Sequence, residues 1–133
     1  MEYRFDNGEW GYGKLGTVTM VAAALFTQLA ATTVRQNATG IWEPFVLYYQ
    51  TKDGRIHEMV QTAPDNTQDT VRWESGIGLF EEATHGSPIT VNSDRDVFSL
   101  SLWFVRALDN HLACYSAPSI TENFVGNWSA LRT

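Results

Sequence analysis

Aromatic side chains are the most conspicuous residues in this chain that could take part in ligand chemistry. Five Trp, five Tyr and seven Phe make up 13% of the 133 residues. Large rings pack well on the pleated surface of a sheet, and their flat faces also stack on the apolar faces of sugar rings. The composition therefore favours sheet packing, sugar stacking or both.

The densest group of ionisable side chains is formed by Glu81, Glu82 and His85. Neighbouring residues of a strand point to opposite faces, so Glu81 and Glu82 are not expected to act as a carboxylate pair. Cys114 is the single cysteine of the chain. It excludes an intramolecular disulfide and is expected to be a small buried side chain.

No motif for a metal or a cofactor stands out in the sequence. The three histidines lack the spacing of a zinc site. Residues 11–16 match G-x-G-x-x-G, but they follow Trp10 rather than a buried strand and are predicted to form a turn. The sequence thus predicts no metal and no cofactor, and it favours a binding protein over an enzyme.

The charge balance bears on possible partners. With 9 basic and 15 acidic residues the net charge is −6, and no basic patch is visible. Nucleic acid and acidic membrane surfaces are therefore not expected as partners. Residues 17–34 are apolar, but Gln28 and several threonines argue against a membrane span, and a signal peptide would begin nearer residue 1. The sequence leaves the compartment open.

Strand and turn signals dominate from residue 43 onward. Residues 45–50 and 55–61 flank Asp53-Gly54, which predicts a hairpin. Further short strands are predicted at residues 70–73, 89–91, 98–105 and 112–116, with a turn at Asp109-Asn110.

Residues 1–133 are predicted to form a single domain. Within it, two repeat units, residues 10–72 and 73–128, can be aligned in sequence, with residues 47–50 matching 102–105. Four short antiparallel strands in each unit are typical of a β-propeller blade. The sequence therefore predicts an all-β chain of propeller-like repeats, with two blades per chain. Two blades do not close a ring, so we expect a homo-oligomer, in which a trimer would supply six blades.

An alternative fold treats the alanine-rich segment as a helix. Alanine has the highest helix propensity, so residues 17–36 could form one helix packed on an antiparallel sheet. This α+β chain would be a small enzyme or a ligand carrier rather than a propeller. A barrel would serve the same functions.

The hairpin of residues 47–58, LYYQTKDGRIHE, resembles the blade hairpin of the fungal fucose-specific lectins, which are six-bladed propellers. Trp73-Glu74-Ser75-Gly76 and Gly86-Ser87-Pro88-Ile89 add to the resemblance, which extends over about residues 40–130. The resemblance implies a calcium-independent module that binds glycans, fucosylated ones among them, at sites between blades. A propeller that has lost sugar binding would instead be a protein-interaction module.

A binding site of that family combines an arginine, a glutamate and an aromatic ring from a neighbouring blade. The two charged groups hydrogen-bond adjacent sugar hydroxyls, and the ring packs on the sugar. Glu58 stands at the glutamate position of the first unit. The arginine position falls on Val46 and Ser101 in the two units, and Cys114 replaces the second glutamate. These departures imply an altered sugar specificity.

The candidate ligand-binding residues are Glu58, Trp73, Arg72, Tyr48, Trp128 and Trp10. Arg72 could replace the missing arginine, and the three tryptophans could be sugar platforms. The structural alternatives are an outward-facing carboxylate for Glu58, a solvated charge for Arg72, and packing between blades for the tryptophans. Tyr48 and Tyr49 lie on opposite faces of their strand, so one is expected in the core and the other exposed.

Overall fold

The computed structural model describes residues 22–33, 45–62, 72–76, 80–94, 99–117 and 129–131. These residues form eight β-strands in two antiparallel sheets of four strands each. The all-β class predicted from the sequence is confirmed. The described residues contain no helix, and therefore none that is long and apolar enough to cross a membrane.

The strands of each sheet follow one another in chain order. Sheet 1 contains β1 (Leu29–Thr33), β2 (Phe45–Gln50), β3 (Ile56–Thr62) and β4 (Arg72–Ser75). Sheet 2 contains β5 (Thr90–Asp94), β6 (Ser99–Val105), β7 (Leu112–Ala117) and β8 (Ser129–Leu131). The predicted strands are present, and the largest shift is at β5, which ends at Asp94 rather than at Val91.

Tight turns close the central hairpin of each sheet, as predicted. In sheet 1 Gly54 has a φ of +85°, which a glycine adopts without strain. The Asp53 carboxylate there accepts hydrogen bonds from the Thr51 hydroxyl and the Arg55 backbone N–H. These bonds, the one from Thr51 first, hold the pKa of Asp53 below its usual value. In sheet 2 Asn110 takes a left-handed φ of 56°.

The helix considered for residues 17–36 is wrong where the structure describes this segment, at residues 22–33. Ala23 forms an isolated bridge with Thr51, a turn follows, and β1 then pairs with β2 along its whole length. Sheet pairing satisfies the backbone of β1 and outweighs the helix propensity of its alanines. The other residues of this range lie outside the described residues.

The two sheets share one hydrophobic core. We call the face of each sheet that meets this core the inner face and the opposite one the outer face. The buried residues of the core are Val46, Tyr48, Ile56 and Val60 from sheet 1, Leu100, Leu102, Phe104, Ala113, Tyr115 and Ala117 from sheet 2, and Phe80, Ala83 and Ile89 from the connection between the sheets. Strands β1 and β5 are in contact, and the Thr32 hydroxyl donates to Ser93 Oγ at 3.2 Å. The first strands of the two sheets therefore lie next to each other.

Burial tests several expectations about individual side chains. Cys114 is buried, as expected. Tyr48 and Tyr49 do lie on opposite faces, but both are buried, so the expected exposure of one of them is wrong. Tyr49 is covered because it packs with other apolar side chains on the outer face of sheet 1. On β6 Phe104 is fully buried and Trp103 is half-buried on the outer face, as alternation predicts.

The side chain of Gln50 joins the hairpin turn of sheet 1 to the connection between the sheets. It is fully buried, and its Nε2 donates to the carbonyl oxygens of Gly54, Ala83 and Thr84 at 3.0, 2.9 and 3.2 Å. Its Oε1 accepts a hydrogen bond from the Gly86 backbone N–H at 3.1 Å. One amide therefore satisfies four backbone groups, which is how buried polar groups avoid a desolvation penalty.

Replacing this amide tests its role. We expect Gln50→Leu to lower the free energy of unfolding by about 2–4 kcal/mol, because buried carbonyl oxygens lose their donors. Urea denaturation followed by tryptophan fluorescence measures the change. Gln28→Leu is the matched control at an exposed glutamine, with an expected change within about 0.5 kcal/mol. Equal effects of the two substitutions would contradict the role assigned to Gln50.

Candidate ligand-binding site

The structure brings two of the predicted site residues, Glu58 and Tyr48, into direct contact. They form a cross-strand pair of β3 and β2, and the Tyr48 hydroxyl donates to Glu58 Oε2 at 2.6 Å. Glu58 is 5% exposed and Tyr48 is fully buried, so Glu58 is not an outward-facing carboxylate. Burial, and then the nearby Glu58 charge, raises the pKa of Tyr48 well above its usual value. The pair is part of the interior between the sheets.

Gly76 closes the other side of the Glu58 side chain. Its backbone N–H donates to the Glu58 carbonyl oxygen at 2.8 Å. A Cβ at position 76 would overlap Glu58 Oε1 and come within 2.6 Å of Glu58 Cγ. The spacing of Trp73 and Gly76 noted in the sequence therefore places a residue without a side chain against a buried carboxylate.

The other predicted site residues lie apart from this pair. Arg72 binds Glu74, with its Nε 2.7 Å from Oε1, and both side chains are about half exposed. Trp73 packs on the outer face of sheet 1, the face opposite Glu58. Trp10 and Trp128 lie outside the described residues. Among the described candidates, only Glu58 and Tyr48 are therefore in contact with each other.

A groove on the outer face of sheet 2 brings different residues together. It has a volume of about 580 Å³. It is lined by Asn92, Ser93, Asp94, Ser99, Ser101 and Trp103, and we call it the Trp103 groove. Cross-strand pairing sets Asn92 beside Ser101 and Asp94 beside Ser99.

Alternation along β6 produces this groove. Leu100, Leu102 and Phe104 point into the core, so the serines and Trp103 point outward. Trp103 is not among the ligand-binding residues predicted from the sequence. The signal that could have found the site is the run S-x-S-x-W, in which small hydroxyl groups and one large ring share the solvent side of a strand.

The groove can offer both hydrogen bonds and an aromatic surface. An asparagine amide donates and accepts, serine hydroxyls do the same, and an ionised carboxylate accepts. Trp103 adds a ring that is partly accessible to a ligand. Within the described part of the chain, no group of three metal-ligating side chains is found. The arrangement suits a hydroxyl-rich ligand without a strong charge.

A second concavity lies between the sheets, at the end where their central hairpins turn. It has a volume of about 610 Å³ and is lined by Arg55, Phe80, Glu81, Glu82, Arg106, Ala107 and Leu108; we call it the inter-sheet cleft. Glu82 lies over Gly54 of sheet 1, and Glu81 faces Arg106 of sheet 2. The two carboxylates therefore have different neighbours, although both line the cleft.

The bond between Tyr48 and Glu58 can be tested with a matched pair of substitutions. We expect Tyr48→Phe to lower the free energy of unfolding by about 1.5–3 kcal/mol, because a hydrogen bond to a buried carboxylate is lost. Tyr49→Phe is the control, since the Tyr49 hydroxyl has no hydrogen bond in the described part of the chain. Chemical denaturation measures both values. A Tyr48→Phe effect no larger than that of Tyr49→Phe would contradict a stabilising bond.

The Trp103 groove combines an aromatic ring with hydrogen-bonding groups, and the inter-sheet cleft combines arginines with an apolar floor. Comparison with protein-family models, with curated proteins and with solved structures finds no match to this chain.

Proposed function

We propose that the protein is a carbohydrate-binding, lectin-like module, and that the Trp103 groove holds the glycan. The observation that carries the proposal is the convergence of Trp103 with Asn92 and Ser101 on one outer face of a sheet. Lectin sites need an aromatic face for the apolar side of a sugar and hydrogen-bonding groups for its hydroxyls. The groove offers both on rigid strands, which favours defined geometry.

The shape of the groove favours an oligosaccharide over a single sugar. Its lining runs along β6 from Ser99 to Trp103. The four residue steps between these positions span about 13 Å of extended strand. The described residues of the lining include no lysine or arginine. A neutral glycan is therefore the ligand class that this lining favours.

The resemblance to the fucose-specific lectins is compatible with this location. Ser101 stands at the arginine position of the second unit, and it lines the groove. Cys114 stands at the glutamate position and pairs across the strands with Trp103. With both charged positions replaced, a glycan other than the one typical of that family fits better, and fucosylated glycans remain one class to test.

We also propose that each sheet is one propeller blade, and the packing of the sheets supports this. Tyr48 and Trp103 are equivalent in the two superposed units, yet Tyr48 lies in the shared core and Trp103 on the outer face. The core therefore joins one face of sheet 1 to the non-equivalent face of sheet 2. Contacts of this head-to-tail kind generate rings when they are repeated.

A ring would be completed by further copies of the chain. The outer face of sheet 1 is apolar and partly exposed, with Leu29 at 65% and Phe45 at 48% exposure. Head-to-tail repetition would set this face of one copy beside the outer face of sheet 2 of the next. The Trp103 groove would then lie at a boundary between blades, as the resemblance implies.

Glycan binding tests the function. We expect the protein to bind a neutral glycan on a glycan array. Trp103→Ala is expected to weaken that binding about tenfold, because stacking of this kind contributes about 1.4 kcal/mol. Asn92→Ala is expected to weaken it about fivefold, the loss of one hydrogen bond. Phe26→Ala removes an exposed ring outside the groove and is the control. Binding that survives both groove substitutions would place the site elsewhere, and an array without any binding would contradict the function.

The mass in solution tests the ring. Light scattering on a sizing column is expected to give about three times the chain mass of 14.9 kDa. Phe45→Lys should reduce this to the monomer mass, because it charges the apolar outer face of sheet 1. Leu108→Lys, at a 90% exposed leucine in the hairpin turn of sheet 2, is the control and should leave the mass unchanged. A wild-type monomer would contradict the ring and leave the glycan proposal to its own test.

A further inference from the structure

We propose that the inter-sheet cleft is a second binding site, specific for a ligand with one carboxylate and an apolar body. The cleft lies between the central hairpins of the two sheets, whereas the Trp103 groove is on the outer face of sheet 2. Among the residues that the structure describes, none lines both concavities. The second site therefore stands apart from the proposed glycan site.

Arg55 supplies the positive charge for the carboxylate. Its side chain is exposed, lines the cleft and forms no ion pair within the described part of the chain. Arg106, on the opposite wall, is already neutralised by Asp109, with Nη2–Oδ2 and Nε–Oδ1 distances of 2.6 and 3.1 Å. Of the two arginines, Arg55 is thus the one available to a ligand. A guanidinium can bind a carboxylate through two parallel hydrogen bonds.

Neither glutamate of the cleft forms an ion pair with Arg55 within the described part of the chain. The Glu82 side chain lies along the hairpin turn, with its Cγ 2.9 Å from where a Cβ of Gly54 would be. Glu81 Oε2 is 3.7 Å from Arg106 Nη1, and the Glu81 carboxylate also faces the Tyr115 hydroxyl. Their negative charges remain in the cleft, however, so a ligand with a second carboxylate would be repelled.

An apolar floor and rim would hold the body of the ligand. Phe80 is 3% exposed at the floor and is fixed by edge contacts with Phe104 and Tyr115, at centroid distances of 6.5 and 5.4 Å. Leu108 is 90% exposed at the rim, where a ligand could cover it. The volume of about 610 Å³ lies within the range of small-molecule sites.

The walls of the cleft are held in place before any ligand binds. The segment between the sheets bridges both hairpins, through Arg55 with Glu82 and through Ala83 with Arg106. The Ala107 backbone N–H also donates to the Glu82 carbonyl oxygen at 2.9 Å. A site that needs no ordering step loses less free energy on binding.

Phenylpropionate is a suitable probe, because it combines one carboxylate with an apolar ring. Titration of the labelled protein, followed by amide and arginine Nε–H resonances, is expected to shift Arg55, Ala107 and Leu108 at millimolar concentrations. Phenylpropanol, which lacks the charge, and phenylsuccinate, which has two carboxylates, should each bind at least about tenfold more weakly. Equal binding of phenylpropanol, or no shift in the cleft, would overturn the proposal.

Arg55→Gln identifies the residue that carries the charge recognition. We expect it to weaken phenylpropionate binding about tenfold and to remove the preference over phenylpropanol. Lys52→Gln removes a positive charge from the same turn but not from the cleft lining, and it should leave the affinity unchanged. Equal losses of phenylpropionate affinity in the two variants would mean that only the net charge matters, and would overturn the proposed site. Trp103→Ala should leave phenylpropionate binding intact, which separates this test from that of the glycan site.

Discussion

The buried amide of Gln50 is the interaction on which the arrangement of the two sheets depends. The connection that follows sheet 1 runs along the core, to which it contributes Phe80 and Ala83. A backbone in such surroundings must have its polar groups satisfied, since an unpaired carbonyl oxygen is costly when buried. The Gln50 amide forms hydrogen bonds with three carbonyl oxygens and one backbone N–H of this region. The connection is thereby fixed to the end of β2.

Both concavities follow from that fixed connection. It supplies Glu81 and Glu82 to one wall of the inter-sheet cleft, and it leads through Ile89 into β5, whose outer side chains line the Trp103 groove. The two sites nevertheless differ in chemistry. The groove combines neutral polar groups with one ring and one carboxylate. The cleft has an apolar floor and one arginine, Arg55, that forms no ion pair with any other described residue. They are therefore suited to different classes of ligand.

In the proposed alignment of the two repeat units, matched positions have different surroundings in the two sheets. Tyr48 and Glu58 form a buried hydrogen-bonded pair in sheet 1, while Trp103 and Cys114 occupy the equivalent pair in sheet 2. Sheet 2 covers the first pair and leaves Trp103 accessible on its own outer face. Cys114 is itself buried. Sheet 1 thus meets the core with the face that carries Tyr48, and sheet 2 has Trp103 on its outer face.

The sequence by itself determined the strands and their turns, because these depend on local signals. Alternation of apolar and polar residues set the faces of β6, and Asp53-Gly54 set the tight turn of the first hairpin. The helix considered for the alanine-rich segment was wrong at residues 29–33, because pairing with β2 outweighed the local helix propensity. Only the tertiary structure decided that Glu58 is buried, that Trp73 lies on the opposite face, and that Arg55 and Arg106 line one cleft. These outcomes depend on which face of one sheet meets the other, and residues far apart in the chain set that contact.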